Sequence, residues 1–189
     1  MHVTLRVRDG VGNLRTKRLG RVIFAAFASA RERFGLRVTH FCIEHNHLHL
    51  LVEADDKSGL SRGIQGLAIR LARRLNRRLG RRGSFFADRY HARILKTPLE
   101  VRRCLLYVLN NYRRHLAQFG AKAPRDWADP FSSIDFFDGL RQLPNGKRPV
   151  AEFTLGRDPP VAQPRTWLLQ LGWRRHGLIS LTEIPGGVG

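Results

Sequence analysis

Apolar and polar residues alternate along "HVTLRV", residues 2–7, with the period of two that a half-buried strand requires. The period then lengthens. Leu19, Ile23, Ala26, Phe27, Ala30 and Phe34 follow helical spacing, which predicts an amphipathic helix ended by Gly35 as a left-handed cap. Two strands follow, over 36–44 ("LRVTHFCIE") and 47–53 ("HLHLLVE"). They flank His45-Asn46, short enough for a two-residue hairpin turn in which asparagine tolerates positive φ. Over 58–79 a stripe of Leu60, Ile64, Leu67, Leu71, Leu75 and Leu79 predicts a second helix. "RYHARIL" predicts a fourth strand. At "TPLE" a third helix begins, with Thr97 as cap, Pro98 in the first helical position and Glu100 completing a capping box.

The order strand, helix, strand, strand, helix, strand, helix predicts an α+β fold of the ferredoxin-like, split βαβ kind, an antiparallel sheet with helices packed on it. After about residue 120 the chain turns rich in Pro, Gly, Trp and Phe, as in "DPFSSIDFFDGL" and "PRTWLLQLGWRRHGLI". The expected organisation is one domain over 1–120 with an extension, 121–189, packed on it.

Charge changes this picture. Lysine and arginine number 34 against 15 acidic residues, a net charge of +19. Such a surface seeks phosphates, and nucleic acid is the best expectation. "SRGIQGLAIRLARRLNRRLGRRG" contains no acid, and Arg70, Arg74, Arg77, Arg78 and Arg81 recur on one side of its helix as a phosphate rail. "GWRRHG" adds an aromatic beside two arginines, able to stack on an unpaired base. No run is long enough to span a bilayer. "RTKRLGRVIFAAFASARE" imitates a secretion signal, but its helical spacing accounts for it. Cys42 and Cys104 form no Cys-x-x-Cys pair, which fits a reducing cytosol better than a disulfide framework or zinc ribbon.

The candidate chemistry lies in "EHNHLHLLVE". Residues two apart in a strand share a face, so His47 and His49 lie together while Leu48, Leu50 and Val52 form the buried underside. Two adjacent imidazoles can reach one divalent ion and leave positions for a phosphate oxygen. His45 falls in the turn, and His40 serves packing or hydrogen bonding.

Of the three tyrosines, Tyr90 opens the fourth strand and Tyr112 joins a core stripe with Val101, Leu105, Val108, Leu109 and Leu116. Tyr107 falls about 150° from the middle of that stripe, with Asn111 one turn beyond and Arg103 and Arg114 flanking. A phenol turned away from the apolar seam, beside a carboxamide and between guanidinium groups, is a candidate nucleophile for a phosphodiester. Cys104 shares this face, but Asn110 stands where a cysteine-based phosphatase would place arginine.

"NHLHLLVE" resembles the Asn-His-hydrophobic-His signature of HUH single-tyrosine transposases, and "YVLNN" resembles the helix that carries their tyrosine. "GSFFADRYHARIL" is similar to the connecting segment of their REP-associated branch. The resemblance implies a metal-dependent single-strand DNA endonuclease and strand transferase. His47, His49 and Asn111 become ligands of Mg²⁺ or Mn²⁺, and Tyr107 becomes the nucleophile that forms a 5′-phosphotyrosine. The implied partner is single-stranded or hairpin DNA, held in part by Arg103, Arg114 and the arginine rail, with the protein a cytoplasmic, nucleoid-associated monomer or homodimer. His45 stands where relatives have proline, and Tyr112 follows the asparagine pair where many again have proline, so Asn110 competes with Asn111 as ligand. The alternative is a noncatalytic hairpin-binding protein, for DNA or RNA, using the same surface.

Overall fold

The computed structural model describes residues 1–143 and 150–186. Five strands form an antiparallel sheet: β1 (His2–Arg6), β2 (Glu32–Arg33), β3 (Leu36–Ile43), β4 (His47–Ala54) and β5 (His91–Arg93), in spatial order β2-β3-β4-β1-β5. Without the two-residue β2, this is the strand order of a split βαβ fold. Helices α1 (Lys17–Ala28) and α2 (Lys57–Leu79) cover one face, and α3 (Pro98–Gln118) covers the other.

Strand alternation makes the two faces. Val3 and Leu5 of β1, Phe41 and Ile43 of β3, and Leu48, Leu50 and Val52 of β4 fill the core under α1 and α2. A register shift between Val38 and His40 lets Val38 join this core while His40 turns the other way, against Ser133 and Phe137. Helix α2 approaches β3 closely at Gly63, where a Cβ would stand 2.3 Å from the Leu36 Cβ.

Two expected boundaries move. α1 stops at Ala28, six residues before Phe34, because the chain must return to the sheet and pair β2 with β3. Phe34 and Gly35 both have positive φ, 56° and 75°, the requirement of a two-residue type I′ hairpin. Gly35 is therefore a strand-turn glycine and not a helix cap, and Phe34 is exposed. The strand expected over 89–95 shortens to His91–Arg93. In the His45-Asn46 turn neither residue has positive φ. Their carbonyls accept from Leu14 and Val7 N–H at 2.9 Å each, so the turn is held by the chain that follows β1.

α3 starts as its sequence requires: Glu100 N–H donates to Thr97 Oγ1 at 3.2 Å, and Thr97 N–H donates to Glu100 Oε2 at 3.0 Å. It is buried on two sides, by the sheet and by the later chain. The latter brings β6 (Trp127–Ala128) and β7 (Val150–Ala151), paired in parallel, the short helix α4 (Trp167–Gln170) and a 3₁₀ turn, Gly172–His176. Arg102 donates to Gly177 O at 2.9 Å and to Glu183 Oε2 at 3.0 Å. Trp173 is buried against Phe137, its indole N–H donating to Leu169 O, so this tryptophan is a core residue and cannot stack on a base as "GWRRHG" suggested.

Candidate active site

The sheet face under α3 is polar where β1, β3 and β4 end together. Thr4 of β1 lies directly opposite His49 of β4, and Arg6 opposite His47. The His47 and His49 rings meet with their Nε2 atoms 2.9 Å apart. Tyr107 descends from α3 onto the same point: its hydroxyl lies 3.1 Å from His49 Nε2, and the two rings pack edge to face. The phenol thus points at the sheet and is half-buried, not turned to solvent as the single-stripe wheel implied. The wheel missed that α3 packs on both sides.

Asn111, one turn on, is buried, and its Nδ2 donates to Glu44 Oε1 at 2.8 Å. Glu44 is itself buried and accepts from the Cys42 thiol at 3.0 Å, with His115 Nε2 at 3.5 Å. Asn110 faces the other way. Its backbone leaves the helical region (φ −114°, ψ 15°), and its Nδ2 donates to the carbonyls of Ser180, Leu181 and Glu183. The two adjacent carboxamides serve opposite sides of the helix, and only Asn111 stands on the histidine side.

Burial keeps the histidine pair uncharged. Burial, with His115 and Arg6 adding to it, lowers the His47 pKa to about 4. Burial and the neighbouring His47, His2 and His115 take His49 down to about 2. Burial also raises the Tyr107 pKa, partly offset by Arg114, and lifts the Cys42 thiol well above its usual range with help from Glu44. Near neutral pH both imidazoles are uncharged and the phenol and thiol keep their protons.

The family described as transposase IS200 like matches residues 1–111, which end on Asn111. The chain belongs to that family. A solved REP-associated tyrosine transposase bound to a REP hairpin shares its fold, with 12% identity over 87% of this chain and 92% of that one and a TM-score of 0.54. No curated protein matches at the sequence level.

A divalent ion fits what this transposase-family site offers. Neighbouring corners of an octahedron with bonds of ~2.1 Å lie about 3.0 Å apart, close to the 2.9 Å between the two Nε2 atoms. His47 Nδ1 lies 2.8 Å from Asn46 Oδ1, an acceptor, which puts the ring proton there and leaves the Nε2 lone pair facing His49. Asn111 Oδ1 is buried with no hydrogen-bond partner among the described residues, while its amide nitrogen is held by Glu44. Among the described residues no three His, Cys, Asp or Glu side chains converge on one metal position, so an ion here would have to rest on the two imidazoles, with a carboxamide oxygen as the third group the protein would offer.

The other expected residues divide. Arg77 and Arg78 are exposed and Arg70 and Arg74 half-buried on α2, which lies on the opposite sheet face from Tyr107, whereas Arg81 falls beyond the left-handed Gly80 that ends the helix and so is not part of a helical rail. The arginines of α2 are not beside Tyr107; the chain that follows α2 pairs Phe86 with Val7, and Phe85 O accepts from Arg8 N–H, just past the Arg6–His47 pair. Arg103 is exposed and Arg114 half-exposed on α3. Tyr112 is not in the core stripe; it is half-buried under the Arg15 guanidinium, 3.8 Å from its ring centroid. Glu44, His115, His2 and Thr4 were missed. Alternation on β3 from Cys42 pointed to Glu44, and the i, i+4 step from Asn111 pointed to His115. His2 and Thr4 reach His49 Nδ1 at 3.1 and 3.2 Å through a strand register that no local pattern encodes.

Proposed function

We propose that this protein is a metal-dependent single-strand DNA endonuclease and strand transferase that cuts beside a hairpin. The observation that carries the reading is the 3.1 Å approach of the Tyr107 hydroxyl to His49 Nε2, across 58 positions of chain, with His47 Nε2 2.9 Å from the same nitrogen. The fold shared with a chain solved on a REP hairpin supports an imperfect DNA hairpin as the substrate class.

Bound by His47, His49 and Asn111, Mg²⁺ or Mn²⁺ would supply Lewis-acid stabilisation of charge on the scissile phosphate. Tyr107 supplies the nucleophile. Its oxygen bonds to phosphorus in line with the departing 3′ oxygen, losing the phenolic proton, while the P–O3′ bond breaks and the 3′ oxygen takes up a proton. A 5′-phosphotyrosine and a free 3′-hydroxyl result. Attack by another 3′-hydroxyl reverses the step and joins strands without an external energy source. Neutral imidazoles suit this role, because a protonated ring cannot ligate a metal. Glu44 holds the Asn111 amide nitrogen and so keeps its oxygen free. Arg114 lies close enough to influence the phenol and can steady the phosphate. The arginines of α2 hold the duplex backbone as it passes the end of the sheet.

The test is a labelled hairpin DNA with single-stranded flanks, incubated with Mn²⁺ and resolved under denaturing conditions. A covalent protein–DNA band is expected, and it vanishes in Tyr107→Phe. A band that survives in that variant but disappears in Tyr112→Phe or Tyr90→Phe refutes the assignment. Binding with no covalent band under any divalent ion leaves the noncatalytic hairpin binder.

A further inference from the structure

A groove of about 800 Å³ opens beside His47, between the tip of the β3–β4 hairpin and the C-terminal end of α3. The size suits a small-molecule site. Tyr112, Trp127 and Phe131 line it, and so does Phe119, the last residue of the α3 cap. Tyr112 is fixed, with Arg15 stacked on it and the Trp127 ring centroid 5.9 Å away. Phe119 is different: it is 86% exposed, and no aromatic ring or cation among the described residues stacks on it. A lone exposed phenylalanine on a surface needs no explanation. One that lines a groove ending at the candidate metal-binding imidazole, three residues from the exposed Lys122, is a stacking platform without its partner.

The chemistry of the walls narrows the occupant. Two carboxylates, Glu44 and Glu152, line the groove beside two cations, Arg15 and Lys122, and Arg15 is paired with Asp129, so the walls repel phosphate in part and carry no excess of positive charge to hold a nucleic-acid backbone. An uncharged planar group avoids that repulsion, and every nucleobase offers a π-face whatever its sequence. The groove shares His47 with the candidate site, so a nucleotide next to a phosphate held at Tyr107 is within reach of its mouth.

We propose that this groove holds one unpaired nucleobase of the strand being cut, stacked on Phe119, with the Lys122 ammonium against the adjoining phosphate. The inference rests on the nuclease reading for the path of the strand. It adds a grip on the single-stranded flank, separate from the hairpin and from the α2 arginines.

The experiment uses the full chain with Tyr107→Phe, which stops at binding. Its probe is an imperfect DNA hairpin with mixed-sequence single-stranded flanks, carrying 2-aminopurine at one flank position at a time and a dye for anisotropy. Binding is expected to quench 2-aminopurine at a confined stretch of one flank. Adding Phe119→Ala abolishes that quenching and weakens binding about 5- to 150-fold, the range for one lost base–aromatic stack. Phe119→Trp restores both. The exposure of Phe119 means that alanine there leaves the fold intact, which an unchanged melting curve verifies. Normal anisotropy with no quenching in either flank, or quenching unaltered by Phe119→Ala, overturns the base site while leaving the nuclease reading in place. Absence of any anisotropy change defeats the nuclease reading and this inference together. A covalent band that fails to form in otherwise wild-type protein, with flank quenching intact, defeats only the chemistry.

Discussion

Replacing Asp129 with alanine should destabilise the protein by about 3–5 kcal/mol, the cost of leaving a buried charge without its partner. The partner is Arg15, whose Nη1 and Nη2 donate to the two Asp129 carboxylate oxygens at 3.0 and 2.8 Å. The side chains are 9% and 1% exposed, so water cannot replace the lost carboxylate without entering the structure. Arg15 has few alternatives: Nη1 already donates to Ile43 O at 2.8 Å, and the guanidinium lies between the Tyr112 and Phe131 rings, 3.8 and 4.7 Å from their centroids. Burial opposes its charge, but Asp129, with Glu44 among the groups adding to it, carries its pKa upward. Asp129→Ala removes that compensation and also the acceptor for Phe131 N–H. In a chain of 189 residues the loss corresponds to a fall of roughly 6–20 °C in Tm. Urea unfolding of Asp129→Ala, Arg15→Met and the double variant measures it. The double variant should recover most of the loss, because an apolar pair carries no stranded charge. A single-variant loss below about 1 kcal/mol, or strictly additive effects, would refute the argument.

Glu44→Ala should weaken Mn²⁺ binding about 10- to 100-fold, as loss of a group that orients a ligand does, whereas Glu44→Gln keeps an acceptor for the Asn111 amide and retains more affinity; calorimetry or Mn²⁺ electron resonance reads this without any turnover. His40, buried against Ser133 and Phe137, has its pKa lowered by burial from 6.5 to about 4. The unfolded chain therefore binds more protons between those values, and stability is complete above pH 6.5 and declines as pH falls toward 4, by about 3 kcal/mol from this group. His40→Gln should flatten that part of the pH profile, and an unchanged slope would count against it. Arg77→Ala with Arg78→Ala should lower the slope of log affinity against log salt for hairpin DNA by about 1 to 2, and a slope that does not move means the rail carries no phosphate.

Local periodicity carried the central part of the fold because the apolar side chains of β4 and α2 collect on one face, even though β3 and β4 are buried on the other face as well, under α3. Leu48, Leu50 and Val52 alternate against His47 and His49 for that reason, and the stripe on α2 has one sheet to cover. The capping box at Thr97 and Glu100 is a contact within one turn and needs nothing distant. Gly35 misled because a left-handed residue serves a helix end and a type I′ hairpin equally well; β2, only two residues long, holds no periodic signal to separate them. α3 misled for another reason. Once two partners bury one helix, the wheel has no single polar side, and Tyr107 lies on a buried face that looked like an outer one.

That double burial bears on what lies beyond the matched residues. The family match ends at 111, but α3 continues to Gln118, and its face away from the sheet is covered by the chain after it. Asn110 donates to the carbonyls of Ser180 and Glu183 at 3.0 Å each, and Arg113 donates to Trp127 O at 2.8 Å. The break in helical geometry at Asn110 is where those contacts attach, one residue before Asn111 and three after Tyr107. A change in the late segment therefore acts on the turn of helix that positions Tyr107 and the orphan carboxamide oxygen of Asn111. Cutting the chain at 120 would expose Leu106 and Leu109 and free the kink together, so lost activity in such a truncation measures the alignment of Tyr107 with the histidine pair as much as any contact the later residues make with DNA.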